Sequence, residues 1–258
     1  MSKVLQKKSA PKSGARFHVP QKLGNGSDVR LPEAAAHHAA RVLRLEVGDP
    51  VTVFDGLGGE FEARITRIEK GEVGVKTGAH RAIERESMLE VLLAQGLSSG
   101  ERMDYTLQKA VELGVSAVQP LSTERSVVKL SPDRATRRTE HWQNLVRSAC
   151  EQCGRNRVPD VAAPQALDHW LASLAKPPTL HETRFLLSPR SDVSLREMTR
   201  PAGRVVLLAG PEGGLTATEM QLAQSCGFAP LRLGPRILRT ETAGIAALAA
   251  MQALWGDF

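Results

Sequence analysis

Leu207-Leu208-Ala209-Gly210-Pro211-Glu212-Gly213-Gly214-Leu215, followed by Leu231-Arg232-Leu233-Gly234-Pro235-Arg236-Ile237-Leu238-Arg239-Thr240-Glu241-Thr242-Ala243, is the part of the chain whose reading decides the fold. Each stretch opens as a short apolar run of strand character, breaks at glycine and proline, and leads into a segment that can be helical. An open α/β sheet builds its ligand crevice in this way, at the carboxyl ends of its strands. Neither loop is a phosphate cradle: no Gly-Lys-Ser/Thr follows Gly210, and 210–214 is not a dinucleotide fingerprint. Glu212 would repel an anion and attract a cationic ligand such as a sulfonium or an amine.

Working outward, apolar runs at 88–94, 115–121, 185–188, 205–209 and 229–233 alternate with helical patterns at 102–113, 132–153, 216–226 and 240–255. That alternation predicts a parallel sheet covered on both faces. The last helix is apolar nearly all round and should be buried on more than one side, against the sheet and a second subunit. The amino-terminal part reads differently. Strand-like runs at 51–54, 60–68 and 72–76 are separated by glycine turns, and 32–44 carries a helical spacing. A small β-barrel with one helix fits. The charged stretch 79–87 marks the boundary, giving a basic tail over 1–15, a β-domain over 16–84 and an α/β domain over 85–258.

At 258 residues the chain has ample material for two cores, and its 41% hydrophobic content holds no run fit to span a bilayer. The basic first residues lack the apolar core of a secretory signal, so a disordered tail in a cytoplasmic protein is expected. A formal charge of +6 favours a polyanionic partner. Arg134, Arg137, Arg138, Arg147, Arg155 and Arg157 cluster mid-chain, and such a cluster serves equally as a solvated face or a phosphate stripe. Aromatic residues make up only 4%, which argues against base reading on an aromatic sheet. The three cysteines suit a reducing compartment. Cys150 and Cys153 lack the second ligand pair that zinc needs, so no metal is expected. His37 and His38 read as exposed helix histidines.

The two glycine loops, the upstream run Cys150-Glu151-Gln152-Cys153-Gly154-Arg155-Asn156-Arg157-Val158-Pro159, and the segments Gln108-Lys109-Ala110-Val111-Glu112-Leu113-Gly114-Val115 and His38-Ala39-Ala40-Arg41-Val42-Leu43-Arg44 together resemble the RsmE family of small-subunit rRNA uracil-1498 N3-methyltransferases. The resemblance covers nearly the whole chain beyond Arg16. It implies a PUA-like β-barrel, then a SPOUT-type α/β domain with a carboxyl-terminal trefoil knot, working as a homodimer on 16S rRNA in the small ribosomal subunit. It also implies S-adenosylmethionine as cofactor, held by Gly210, Gly213, Gly214 and Gly234 with Leu187, Leu233, Ile237 and Leu238 as apolar walls. Uracil N3 is protonated at neutral pH, so a guanidinium from Arg155 or Arg239 is expected near the uracil oxygens, and Glu212 or Glu241 to accept the proton. Arg41, Arg44, Arg147 and Arg157 are candidate phosphate contacts. A knotted methyltransferase acting on tRNA or large-subunit rRNA, and a non-catalytic RNA-binding protein, are the competing readings.

Overall fold

A computed structural model of the chain describes residues 14–174 and 178–258, so the expected basic tail lies almost wholly outside the described residues. The chain divides into two compact units. One comprises the residues up to Arg85 together with Cys150–Val158, the other Glu86–Ala149 with Pro159–Phe258.

The first unit is built on β1 (Arg16–His18), β2 (Asp28–Arg30), α1 (Glu33–His37), β3 (Pro50–Phe54), β4 (Glu60–Glu69) and β5 (Glu72–Arg81). Their sheet order is β1-β3-β4-β5-β2, antiparallel except for the β1–β3 pair. A two-residue turn at Lys70 and Gly71, both at positive φ (48° and 87°), sets the β4–β5 register. Buried and exposed residues alternate along β4 from Phe61 to Ile65, and the inward set packs with Phe17, Val53, Val73, Val75, Ala36 and Ala39. The helix expected over 32–44 is α-helical only to His37 and then widens into a π-helical turn, His38–Val42. Ala35, Ala36 and Ala39 face the core, whereas His37 and His38 are exposed.

The second unit contains β6 (Val91–Gly96), α2 (Gly100–Glu112), β7 (Ala117–Ser122), α3 (Pro132–Cys153, whose last residues belong to the first unit), β8 (Asp160–Val161), β9 (Gln165–Ala166), α4 (Leu167–Ser173), β10 (Glu182–Leu187), β11 (Arg204–Ala209), α5 (Ala217–Ser225), β12 (Phe228–Leu231) and α6 (Thr240–Trp255). The sheet runs β12-β10-β11-β6-β7-β8, with β9 also on β7, and every pair is parallel. Val91, Leu93, Val205 and Leu207 are all fully buried, as strands covered on both faces require. Thr216 and Glu219 form a reciprocal capping box that starts α5. From the edge strand β12 the chain crosses back to pack α6 on α2, β6 and β11.

α6 is covered by its own chain chiefly along one stripe. Its buried residues, Gly244, Ala247, Leu248, Met251, Gln252 and Trp255, lie on one stripe, while Ala253 and Leu254 are exposed. Ala243, Ile245, Ala246, Ala249 and Ala250 beside it are half-buried.

Candidate active site

The loops that follow β10, β11 and β12 enclose a cavity of about 540 Å³ at the carboxyl ends of these strands. That volume is in the range of pockets that bury small ligands, roughly 300–1,000 Å³. Leu187, Gly210, Gly213, Gly214, Leu233, Gly234, Ile237 and Leu238 all line it, with Leu215, Met220 and Leu231 adding apolar wall. Gly214 and Gly234 have φ of +68° and +81°, a region side chains rarely adopt.

A buried polar cluster fixes the floor. The Thr240 hydroxyl donates to the Gly210 carbonyl at 2.6 Å, and Gln95 Nε2 donates to Thr240 Oγ1 at 3.1 Å and to Gly210 O at 3.3 Å. Gln95 is fully buried at the end of β6, so these bonds tie three separate segments in a water-free place. Beside it, a Cβ on Gly96 would lie 2.6 Å from the Pro211 nitrogen and 2.9 Å from the Gly210 carbonyl carbon. Backbone cannot yield as a side chain can, so the close approach of β6 to the first loop demands glycine there.

Glu212, from the loop after β11, and Glu241, from the first turn of α6, line the cavity, and Arg102 of α2 contacts both. Arg102 Nη1 donates to Glu212 Oε1 at 3.0 Å, while its Nε lies 3.9 Å from Glu241 Oε1. The Ser99 N–H also donates to Glu212 Oε1, at 2.9 Å. Burial pushes the Glu212 carboxyl up, but the Ser99 N–H and the Arg102 guanidinium outweigh it and hold the group below the ordinary carboxylate value. In both glutamates Oε2 is buried without a hydrogen-bond partner. Unpaired buried acceptors are costly, and this pair marks where a donor or cation would be welcomed. Arg239 lines the same cavity, exposed, at the residue preceding α6.

Of the four proposed catalytic residues, the structure therefore brings Glu212, Glu241 and Arg239 together. Arg155 does not line this cavity. It belongs to the first unit and is 5% exposed. Its segment is gripped there: Arg16 Nη2 donates to Asn156 Oδ1 at 2.6 Å and to the carbonyls of Gly154 and Arg155 at 3.2 and 3.3 Å. Asn156 Nδ2 donates to Ile83 O at 2.6 Å, Arg85 donates to Gly154 O at 2.9 Å, and Glu60 pairs with both Arg16 and Arg85. Glu151 accepts the His18 N–H at 2.9 Å, and burial raises its carboxyl above the ordinary value. Arg157 is exposed with its Nε 3.8 Å from Glu84. Arg41 and Arg44 are exposed on the first unit, and Arg147 is half-buried on α3, donating to Asn144.

Gln95, Arg102 and the mouth arginines Arg125, Arg190 and Arg236 escaped the sequence reading. Gln95 had one signal, a polar side chain closing an apolar strand run. Arg102 had none, because its partners are more than a hundred residues away. Cys150, Cys153 and Cys226 are thiols, and among the described residues no group of His, Cys, Asp and Glu could hold a metal ion. Among them, too, no helix is long and apolar enough to cross a membrane.

Comparison with known proteins agrees with this architecture. A profile for an RNA methyltransferase domain matches residues 85–252, and one for an RNA methyltransferase PUA domain matches residues 31–77. The ribosomal RNA small subunit methyltransferase E of Buchnera aphidicola (strain APS) is 30% identical over 257 residues, covering 100% of this chain and 98% of the relative. A crystal structure of the same-named enzyme from Neisseria gonorrhoeae, bound to S-adenosyl methionine, aligns with TM-score 0.86 and 43% identity over 95% of this chain and 99% of that one. A methyltransferase from Legionella pneumophila with the cofactor SAM bound aligns with TM-score 0.89 and 40% identity over the same shares. The fold is accordingly a PUA-like unit followed by a SPOUT-type RNA methyltransferase domain. With both units matched in order and the full length aligned, the chain belongs to the ribosomal RNA small subunit methyltransferase E family.

Proposed function

We propose that this protein transfers a methyl group from S-adenosylmethionine to N3 of a single uridine, of the uracil-1498 type, in 16S rRNA of the small ribosomal subunit, acting as a cytoplasmic homodimer. The observation that carries the reading is the cavity, in which apolar walls meet two carboxylates that each retain a buried, unpartnered oxygen. Such a lining suits a ligand with an apolar ring at one end and positive charge at the other. When bound, the cofactor supplies an electrophilic methyl on a sulfonium.

The chain's own residues provide the rest. N3 lies on the pairing edge of uracil and carries a proton, so the base enters unpaired and must lose that proton as the N–C bond forms. Glu212 is held by two donors and kept acidic, which makes it a poor acceptor. Glu241, with only the longer contact to Arg102, takes the N3 proton. Arg239 places its guanidinium where the uracil oxygens gain negative charge. Leu187, Leu233, Ile237 and Leu238 exclude water from the cofactor's ring. Arg41, Arg44, Arg147 and Arg157 contact phosphate. The Arg155 segment is held in the first unit by Arg16, Arg85 and Asn156. The less covered face of α6 packs against a second copy.

Labelled S-adenosylmethionine incubated with small subunits from a strain lacking the protein, followed by mass spectrometry of the nucleosides, tests the proposal. Labelled 3-methyluridine at one position is the expected result. Label in tRNA or large-subunit RNA instead would retain the methyltransferase and overturn the target.

A further inference from the structure

At the cavity mouth, charge runs opposite to that within. Arg125, Arg190 and Arg236 line the cavity from three different loops, which follow β7, β10 and β12, and all three are exposed. None of the three is ion-paired with a carboxylate among the described residues. The one polar contact seen among them runs from Arg125 Nη1 to the Gly213 carbonyl at 3.1 Å, which ties that guanidinium to the first glycine loop and leaves its charge uncompensated. Some surface arginines are matched, Arg30 and Arg67 to Glu72 and Arg81 to Glu62, and others such as Arg134 and Arg137 are not; what sets Arg125, Arg190 and Arg236 apart is that all three line one cavity. Three like charges gathered around one opening without counter-charge repel one another, and a polyanion relieves that repulsion. Glu212 and Glu241 contact Arg102 and pair with none of the three.

We infer that Arg125, Arg190 and Arg236 form a phosphate-binding rim that grips the RNA strand on either side of the target nucleotide. This rests on the function proposed above and deepens it. An extruded base loses its stacking partners, so the backbone flanking it must be held from outside while the base enters. The rim lies on the loops that form the cavity, which makes it a positioning device for the substrate, separate from the arginines on the first unit.

The test uses the full-length R190Q/R236Q variant, with R134Q/R137Q as control; that pair removes equal charge from exposed positions on α3. Filter binding to small subunits across a salt series needs no turnover, so it reads the rim even if methyl transfer fails. The rim variant should bind roughly tenfold more weakly, with a salt slope flattened by about 0.7 for each phosphate that is no longer neutralised. KM for the subunit should rise with kcat unchanged, and calorimetric affinity for S-adenosylmethionine should match wild type. The proposal is overturned if cofactor affinity falls while subunit binding holds, if subunit binding is unaltered, or if the α3 control flattens the slope equally. Normal salt-dependent binding without methyl transfer by wild type would sink the proposed reaction and leave the rim standing.

Discussion

Two clusters of arginine and glutamate, one in each unit, are built from the same residue types and finished differently. Around Arg16 the side chains close on themselves: Glu60 takes two arginines, Asn156 satisfies both ends of its amide, and Gly154 O accepts from both Arg16 and Arg85, leaving Arg16 Nε as an unpartnered atom. Around Arg102 the guanidinium is stretched between two carboxylates and an oxygen on each stays orphaned. A nearly completed network, with one guanidinium nitrogen left over, specifies a loop conformation. An incomplete one stores binding capacity for something that arrives later. The difference separates a structural clasp from a reactive site more sharply than arginine content could.

The contrast breaks most decisively at Glu241. Glu241→Gln keeps the size and loses the proton acceptor, so kcat should fall by about 10²–10⁴ with the melting temperature barely moved. Steady-state methyl transfer and a thermal melt decide it, and a kcat within twofold of wild type would remove Glu241 from the reaction. Arg16→Ala, by contrast, should act on stability. The Arg16 and Glu60 side chains are 12% and 8% exposed, and removing one partner of a buried pair costs about 3 kcal/mol or more. Urea unfolding should show that destabilisation while cofactor affinity in the surviving folded fraction stays normal.

A smaller effect is expected at Glu151, whose folded carboxyl is raised by burial. A raised acid binds its proton more tightly when folded, so its ionisation costs stability as pH climbs from the unfolded value through the folded one. Glu151→Gln keeps an acceptor for the His18 N–H and should be relatively more stable above that window than below it. Melts at several pH values would show this, and a variant equally destabilised at every pH would refute it.

Much of this was legible because it depends on local pattern. Alternating apolar and helical runs gave the parallel strands, and glycine with proline marked both cavity loops. β8 and β9 have two residues each and α4 has seven, too short for periodicity to register. The π-helical turn at His38–Val42 was hidden because its apolar spacing imitates an α-helix. Arg155 lies outside the cavity because its segment is held in the first unit by bonds that sequence does not show: Arg16 reaches the Arg155 carbonyl across 139 positions, and Asn156 reaches the Ile83 carbonyl across 73. Arg102 was invisible on the same grounds, 110 residues from Glu212.

The floor of the cavity also carries a thermodynamic consequence. Gln95 meets Gly210 and Thr240 across 115 and 145 residues, and such non-local pairings are costly to close. A pocket assembled from them has no counterpart in the unfolded chain, where those segments are apart. A ligand seated there would therefore bind the folded chain alone and raise its resistance to heat and urea in step with the ligand's free concentration.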